Sequence, residues 1–473
     1  MRRENLKWWS HKGESTDAEH RGGPTRISGE ALVTGVELRS WAVQLRPWVN
    51  QRWEELVDKA KPYDIPKKEV WEAYKRVKAN RGAAGVDGES LAAFEKDLKD
   101  NLYKIWNRMS SGSYFPPAVR RVEIEKDGGG KRLLGVPTVA DRVAQTVAKR
   151  YLEPIVEPKF HPDSYGYRPG KSAHDAVGTA RKRCWDTDWV IDLDIKGFFD
   201  NLDWDLVMRA VRFHTDNAWV SLYIERWLRV PVQTADGELV VQTAGTPQGG
   251  VISPLLANLF LHHALDDWLR RDYPEIQFER YADDIVVHCR SEAEAKQVLE
   301  AIRKRLKECG LELHPVKTKI VYCKDDNRPG KHEHMKFDFL GYTFQPRRAK
   351  NRWGEYFENF LPAMSDKAAK GIRATIGSWQ IARKRSTQAL EDLARIIDPS
   401  VRGWMNYYGR FYRSKCVQVL GHLNSVLVRW ACRKYKRYRR RPGRAIRWLE
   451  RIAKREPNLF VLWKLGTVPT AGQ

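Results

Sequence analysis

Long hydrophobic runs are missing from this 473-residue chain: none approaches the roughly 20 residues that a membrane-spanning helix needs, so no membrane partner is expected. Cysteine is scarce as well. The six, at positions 184, 289, 309, 323, 416 and 432, form no C-x-x-C pair, which argues against a structural zinc site and a disulfide framework. The N-terminus is basic but lacks the apolar stretch of a secretory signal, and the reading is a protein of the reducing cytoplasm. Acidic residues are in deficit: 60 Asp and Glu face 84 Lys and Arg, a formal net charge of +24. Interleaved with those bases are 19 Trp and 18 Tyr. Cations that neutralise phosphates beside rings that stack on bases favour a nucleic-acid partner over a merely solubilising surface.

A chain of this length exceeds one hydrophobic core, and two or three packed units are expected. Residues 1 to about 38 are polar and Gly-rich, the pattern of a flexible lead. Apolar residues recur at helical spacing from Trp41 to Ala60, and Val70, Trp71, Tyr74 and Val77 continue the pattern. Val119 to Ile124 reads as extended, and Lys126 to Arg132 (KDGGGKR) as a β-turn with bases on both sides of its glycines. A strand is expected from Trp189 to Asp194, and a hairpin at 228–243 with Asp236-Gly237 at its turn. Ser253-Pro254 opens a helix whose Leu256, Leu259, Phe260, Ala264 and Trp268 lie near one face. Another helix starts at Ser291, with Glu294 completing a capping box and Leu299, Ile302 and Leu306 as its stripe, and ends at Gly310. Strand-like segments follow at 316–323 and 337–344, and beyond residue 360 the pattern is almost wholly helical. There Trp404, Tyr407, Tyr408 and Phe411 fall at i, i+3, i+4 and i+7, a stripe suited to a core. Irregular alternation of strands and helices, then helices alone, implies an α+β fold.

Two acidic strand ends carry the chemistry. Phe278 to Cys289 (FERYADDIVVHC) is two β-prone runs joined at a turn containing Asp283 and Asp284. Adjacent carboxylates between apolar strands repel one another and resist burial, and a hard divalent cation relieves both costs. Trp189 to Asp200 (WVIDLDIKGFFD) is the second; period-2 alternation puts Asp192 and Asp194 on one face. If Asp194 lies beside Asp283 on adjacent strands, three carboxylates can hold two metal ions about 4 Å apart, one activating a primer hydroxyl and the other steadying pyrophosphate. The two positions are 89 residues apart in the chain, so their meeting is an expectation about the fold.

At this point the residues resemble a known family. Tyr281-Ala282-Asp283-Asp284 resembles the metal-binding signature of reverse transcriptases, and residues 192–200 (DLDIKGFFD) resemble its partner motif, in which the matching acid is Asp194. Thr246 to Asp267 and residues 131–169 closely resemble the intervening motif and the fingers of group II intron-encoded reverse transcriptases. The match runs from about residue 64 to 345 with its motifs in order. The resemblance implies a right-hand polymerase, with fingers and palm built on antiparallel sheet and an all-helical thumb or maturase domain after them. It implies an RNA-directed DNA polymerase that uses two Mg²⁺ ions, copies its intron RNA, and assists splicing and mobility as a maturase. The implied partners are intron RNA and RNA template, a DNA primer and target DNA, and dNTPs; the implied setting is a bacterial cytoplasmic ribonucleoprotein.

Carried over residue by residue, Asp194, Asp283 and Asp284 are the catalytic metal ligands, and Ile195 lends a metal its backbone carbonyl. Phe199 is the ring beneath the incoming sugar, where it clashes with a ribose 2′-hydroxyl; Gln248, beside Gly249 and Gly250, contacts the base or sugar. Lys131 and Arg132 meet the triphosphate, with Lys126 a weaker third; Leu133 stands where the family's turn leads one to expect proline. Lys317 (in HPVKTK) is either the proton donor to pyrophosphate or one more phosphate contact. Phe339 to Phe344 (FLGYTF) is the primer-grip turn, with Phe339 and Gly341 at the primer.

On this reading residues 1–38 are the lead, 39–190 an N-terminal extension and fingers with the start of the palm, and 189–345 the palm. Residues 346–429 are then the thumb or maturase X domain, and 430–473 a basic segment that binds nucleic acid, Arg433 and Lys434 included. From Arg433 to Glu456 it has twelve Lys or Arg against two Glu. No His-Asn-His cluster follows, so no intrinsic target-DNA endonuclease is expected. The alternatives are a domesticated reverse transcriptase in phage defence or CRISPR adaptation, and a maturase that only binds RNA.

Overall fold

The computed structural model describes residues 61–125 and 131–470; the expected lead, the Trp41–Ala60 helix and Lys126 with its glycine turn lie outside the described residues. From Pro62 onward the chain forms one unit. Helix α1 (Lys67–Asn80) buries Val70, Ala73, Tyr74 and Val77 along one stripe, and α2 (Leu98–Ser110) buries Ile105 and Met109. Trp71, expected on the α1 stripe, is instead largely exposed. Strands β1 (Val119–Glu125) and β2 (Lys131–Val136) pair antiparallel from Arg120–Val136 to Glu125–Lys131. α3 (Val139–Val156), capped by the Thr138 hydroxyl, then runs through the interior, and α4 (Ala173–Asp186) leads into β3 (Trp189–Asp194).

After α5 (Trp204–His214) and α6 (Ala218–Leu228) comes a short hairpin, β4 (Val232–Gln233) and β5 (Leu239–Val240), with Gly237 at φ 86° in its turn. β4 joins β1 in parallel, so the fingers sheet has the order β2-β1-β4-β5. α7 (Ser253–Leu261) continues through a π-helical turn, His262–Asp266, into α8 (Asp267–Asp272). The one-sided face expected here is not observed: every residue from Leu255 to Asp266 is buried, while Trp268 is only half-buried. A helix packed all round shows no polar face from which to read a direction.

β6 (Gln277–Tyr281), β7 (Asp284–Cys289), α9 (Glu292–Glu308) and β8 (Lys319–Tyr322) complete the palm, whose sheet has the order β6-β7-β3-β8 with every neighbour antiparallel. Ser291 caps α9, but the Glu294 carboxylate accepts from Arg290 N–H rather than from Ser291, so the expected box is displaced by one residue. Its buried stripe runs through Ala295, Val298, Ile302 and Leu306, with Leu299 at the margin.

A third sheet, β11-β10-β9, follows: β9 (Phe337–Phe339), β10 (Tyr342–Lys350) and β11 (Tyr356–Met364). β10 and β11 form a nine-pair hairpin that crosses residue 345 and occupies a stretch where the sequence pattern showed only a strand ending at 344. The helical region starts at α10 (Asp366–Ser378) and adds α11 (Leu390–Tyr408), α12 (Arg413–Leu420), α13 (His422–Lys434) and α14 (Pro442–Arg455). One core joins them, through Leu393, Val401, Leu420, Trp430, Leu449, Phe460 and Trp463. The basic stretch after residue 430 is therefore built into the thumb core. Among the described residues no helix is long and apolar enough to cross a membrane, and no disulfide joins any of the six cysteines.

Candidate active site

The sheet brings the two acidic strand ends together. β3 and β7 pair with Asp194 opposite Asp284. Asp283 precedes β7, in the β6–β7 turn after Ala282, whose φ is 58°. The neighbour expected for Asp194 was Asp283; the register supplies Asp284, because β7 begins there and Asp283 belongs to the turn. All three remain close enough to feel one another. Burial, then Asp283 and Asp194, lift the Asp284 carboxyl to about 6. Burial raises Asp283 too, and Asp194 adds to it. Asp192, one step down the same face, is pushed to about 7 by burial and by Asp284.

Lys317 Nζ lies 3.2 Å from both carboxylate oxygens of Asp194. Ile195 is buried and bridges to Leu313. Among the described residues, no three His, Cys, Asp or Glu side chains already enclose a point where an ion would sit. The donor chemistry nonetheless suits a divalent cation: hard oxygens in a partly dry site, whose proton affinity is raised first by burial and then by neighbouring carboxylates, two costs that a cation would offset.

The turn that presents Asp283 is braced from beneath by residues the sequence reading missed. The Arg280 guanidinium, fully buried, donates to both oxygens of Asp266 (2.8 and 2.5 Å), to Asn258 Oδ1 (2.9 Å) and to the Ala282 carbonyl (3.1 Å). Asn258 in turn donates to Gly166 O at 2.6 Å. Gly166 is pressed against the turn so closely that a Cβ there would stand 2.4 Å from Ala282 N. The signal was present: Asp266 ends an apolar helix and Arg280 lies beside apolar strand residues, and a buried charge requires a partner.

On the fingers side, Arg132 Nε donates to Gln248 Oε1 at 2.8 Å, so two residues singled out for the nucleotide meet across 116 positions. Gly135 N–H donates to Gln248 O at 2.7 Å, and Gly249, at φ 122°, lies where a Cβ would meet Gly135 O at 2.4 Å. The Arg132 charge opposes the rise at both Asp283 and Asp284, so it lies within electrostatic range of the carboxylates. Lys131 is instead paired with Glu123 across the hairpin. Phe199 is 7% exposed in the turn after β3, where its carbonyl accepts from Thr246 N–H.

At the primer-grip turn, Leu340 and Gly341 have φ of 51° and 80°. Thumb aromatics hold them: Tyr407 Oη donates to Leu340 O at 2.8 Å, and a Cβ on Gly341 would come within 3.3 Å of Tyr408 Oη. The Tyr407 carbonyl receives the Tyr342 hydroxyl and lies 3.0 Å from His174 Nε2 on α4. α11 ends at Tyr408, so Phe411 is not on the helical stripe as expected, yet it still packs 5.4 Å from Tyr342. Two of the expected primer- and nucleic-acid-binding residues are engaged within the protein. Phe339 is 2% exposed and supports the turn from the core. Lys434 is engaged by the Thr387 and Gln388 carbonyls, because α13 packs against that loop; Arg433 stays exposed. Beside them Tyr438, Arg444, Arg447, Glu450, Arg451 and Lys454 line an open groove of about 440 Å³.

Comparison with known proteins supplies the family. Residues 124–344 match the reverse transcriptase (RNA-dependent DNA polymerase) model, and residues 369–448 the group II intron maturase-specific domain. The chain is 31% identical over 328 residues to protein YkfC of Escherichia coli, covering 60% of this chain and 81% of that protein. It belongs to the group II intron reverse transcriptase and maturase family. It is also 34% identical over 193 residues to the group II intron-encoded protein LtrA of Lactococcus lactis, covering 40% of this chain and 32% of LtrA. An uncharacterized 91 kDa protein in the cob intron of Schizosaccharomyces pombe is 31% identical over 209 residues, 44% of this chain and 25% of that protein. The chain thus spans only a third or less of the latter two. In this reverse transcriptase the first matched region runs from β1 into β10, and the second lies within the C-terminal helical region.

Proposed function

We propose that this reverse transcriptase extends a DNA primer on its intron RNA and, through the thumb, binds that RNA as a maturase that aids splicing and mobility, working in the cytoplasm as a ribonucleoprotein. The observation that carries the reading is the convergence of Asp194, Asp283 and Asp284 at one end of β3 and β7, where an RNA-binding role alone gives three carboxylates nothing to do. These three, with the Ile195 carbonyl, are the groups to hold two Mg²⁺ ions, which when bound would activate a primer hydroxyl and offset charge on the leaving pyrophosphate. Arg132 lies within electrostatic range of the acids and suits a triphosphate, and its bond to Gln248 ties together two residues proposed for the nucleotide. The Phe199 ring beneath the sugar disfavours a 2′-hydroxyl. Lys317 stands against Asp194 with an ammonium able to contact or protonate pyrophosphate. Leu340 and Gly341 offer backbone to the primer strand, and exposed bases such as Arg433 offer charge to RNA and target DNA.

The test is primer extension on an RNA template with Mg²⁺, with dNTPs or rNTPs supplied, for wild type and Asp283→Ala. Extension with dNTPs only, abolished in the variant, is expected. Wild-type protein that binds intron RNA tightly yet never extends a primer would leave a maturase without polymerase activity.

A further inference from the structure

The β10–β11 hairpin ends in a surface that the polymerase site does not use. Between Arg347 and Phe357 it carries four cations, Arg347, Arg348, Lys350 and Arg352, against the single carboxylate of Glu355. Trp353 is 71% exposed and Tyr356 61%, side by side with these bases. Each ring has one face already covered by a guanidinium: Arg352 stands 4.1 Å from the Trp353 ring and Arg348 4.0 Å from the Tyr356 ring. Lys350 Nζ also stands 5.5 Å from the Tyr356 ring, and most of the surface of both residues stays open to solvent.

The tip is held in shape by Asn351. Its Oδ1 accepts from Trp353 N–H (3.0 Å) and Glu355 N–H (2.9 Å), its Nδ2 donates to the Glu355 carboxylate (2.8 Å), and its own N–H donates to Glu355 O (2.9 Å). Gly354, at φ 92°, completes the turn. An exposed tryptophan on a turn so well tied loses little freedom on binding. The Glu355 charge is meanwhile partly satisfied by Asn351, which leaves the local field positive.

We propose that the hairpin tip is a docking surface for an unpaired polynucleotide strand, with Trp353 and Tyr356 stacking on bases and Arg348, Lys350 and Arg352 meeting the phosphates. Stacked rings interleaved with bases suit a single strand, because a duplex hides its base faces. The nine residues of β10 separate the tip from Gly341 by on the order of 30 Å, so the strand it takes lies away from the primer terminus. It therefore adds a contact to the proposed polymerase reaction without entering it.

The experiment uses the full chain, fluorescein-labelled oligo(U), oligo(dT) and a blunt duplex, with Trp353→Ala, Tyr356→Ala and Arg352→Gln. These side chains are exposed, so the variants fold. Each lost ring is expected to weaken single-strand binding about tenfold, and Arg352→Gln to lower the salt slope by about one. Loss for oligo(U) alone makes the occupant RNA, loss for oligo(dT) alone makes it DNA, and loss for both makes it either strand; all three support the assignment. The double ring variant binding both strands like wild type, or losing only the duplex, overturns it. Ultraviolet crosslinking to oligo(U) locates the contact: an adduct within 347–357 is expected, and adducts only elsewhere also overturn it. Extension of a short primer–template by the double variant stays at the wild-type rate, so a failure of the polymerase reading shows up separately, in the wild-type protein.

Discussion

Replacing Arg280 with methionine tests whether the buried brace, and not the Asp283 turn alone, sets the active site. Arg280 and Asp266 are both fully buried, and their paired bonds are accompanied by those to Asn258 and the Ala282 carbonyl. Arg280→Met keeps most of the volume but strands one carboxylate and two oxygen acceptors in the interior. Breaking a buried pair from one side costs about 3–5 kcal/mol, against a whole-domain stability of about 5–15 kcal/mol. Adding Asp266→Leu removes the stranded charge and recovers most of that loss, since buried pairs exchange for apolar ones at little cost. Neither variant restores the bond to Ala282 O. Both are therefore expected to lose extension rate by on the order of 100-fold, the scale of a misplacement of about 1 Å. Denaturation midpoints and single-nucleotide extension at saturating primer–template and dNTP measure the two effects. The reasoning fails if single and double variants are equally stable, or if both extend at the wild-type rate.

Two further outcomes follow from other contacts. Asp141 is wholly buried, accepts bonds from Tyr114 (2.9 Å), Trp227 (2.8 Å) and Gln145 (2.9 Å), and is lifted by burial from 3.8 to about 6. The folded chain thus holds this proton longer than the unfolded one, so the Asp141 contribution falls as pH rises from about 4 to about 6 and is level above, by roughly 3 kcal/mol in all. Subtracting the Asp141→Asn stability curve from the wild-type curve isolates that slope; a flat difference means the group is ionised throughout. Tyr407→Phe removes the hydroxyl that holds the Leu340 carbonyl, a bond worth about 0.5–1.5 kcal/mol. Its KM for primer–template is expected to rise several-fold with kcat nearly unchanged, and unchanged values of both would detach the thumb from the primer grip.

What the sequence made legible was local. Alternation marked β3, the acid pair marked the β6–β7 turn, and Asp236-Gly237 marked the small hairpin, because each depends on neighbours within a few positions. Register was not legible: that Asp284 rather than Asp283 faces Asp194 depends on where a strand 90 residues later begins. The faces of α7 were invisible for a different reason, since a helix enclosed on every side has no amphipathic signature. The Arg280 brace escaped because its partners, Asn258 and Asp266, read singly as ordinary polar residues of a helix. The long hairpin escaped because the exposed bases and rings of its outer half obscure the alternation of a strand. Composition could not show that Lys434, one base in a basic run, donates to two carbonyls of a neighbouring loop.

The order of strands in the palm sheet also bears on how the chain is made. β3 lies between β7 and β8, and both neighbours come later in the sequence. At ribosomal rates of about 5–20 residues per second, the 95 positions from Asp194 to Cys289 take on the order of 5–20 s to emerge. Through that interval Val190, Ile191 and Leu193 belong to a strand with two open edges and no mate. Nascent chains arrested between residues 200 and 280 should therefore be the most aggregation-prone lengths, and a folding helper that shields an apolar strand should raise the yield of full-length protein.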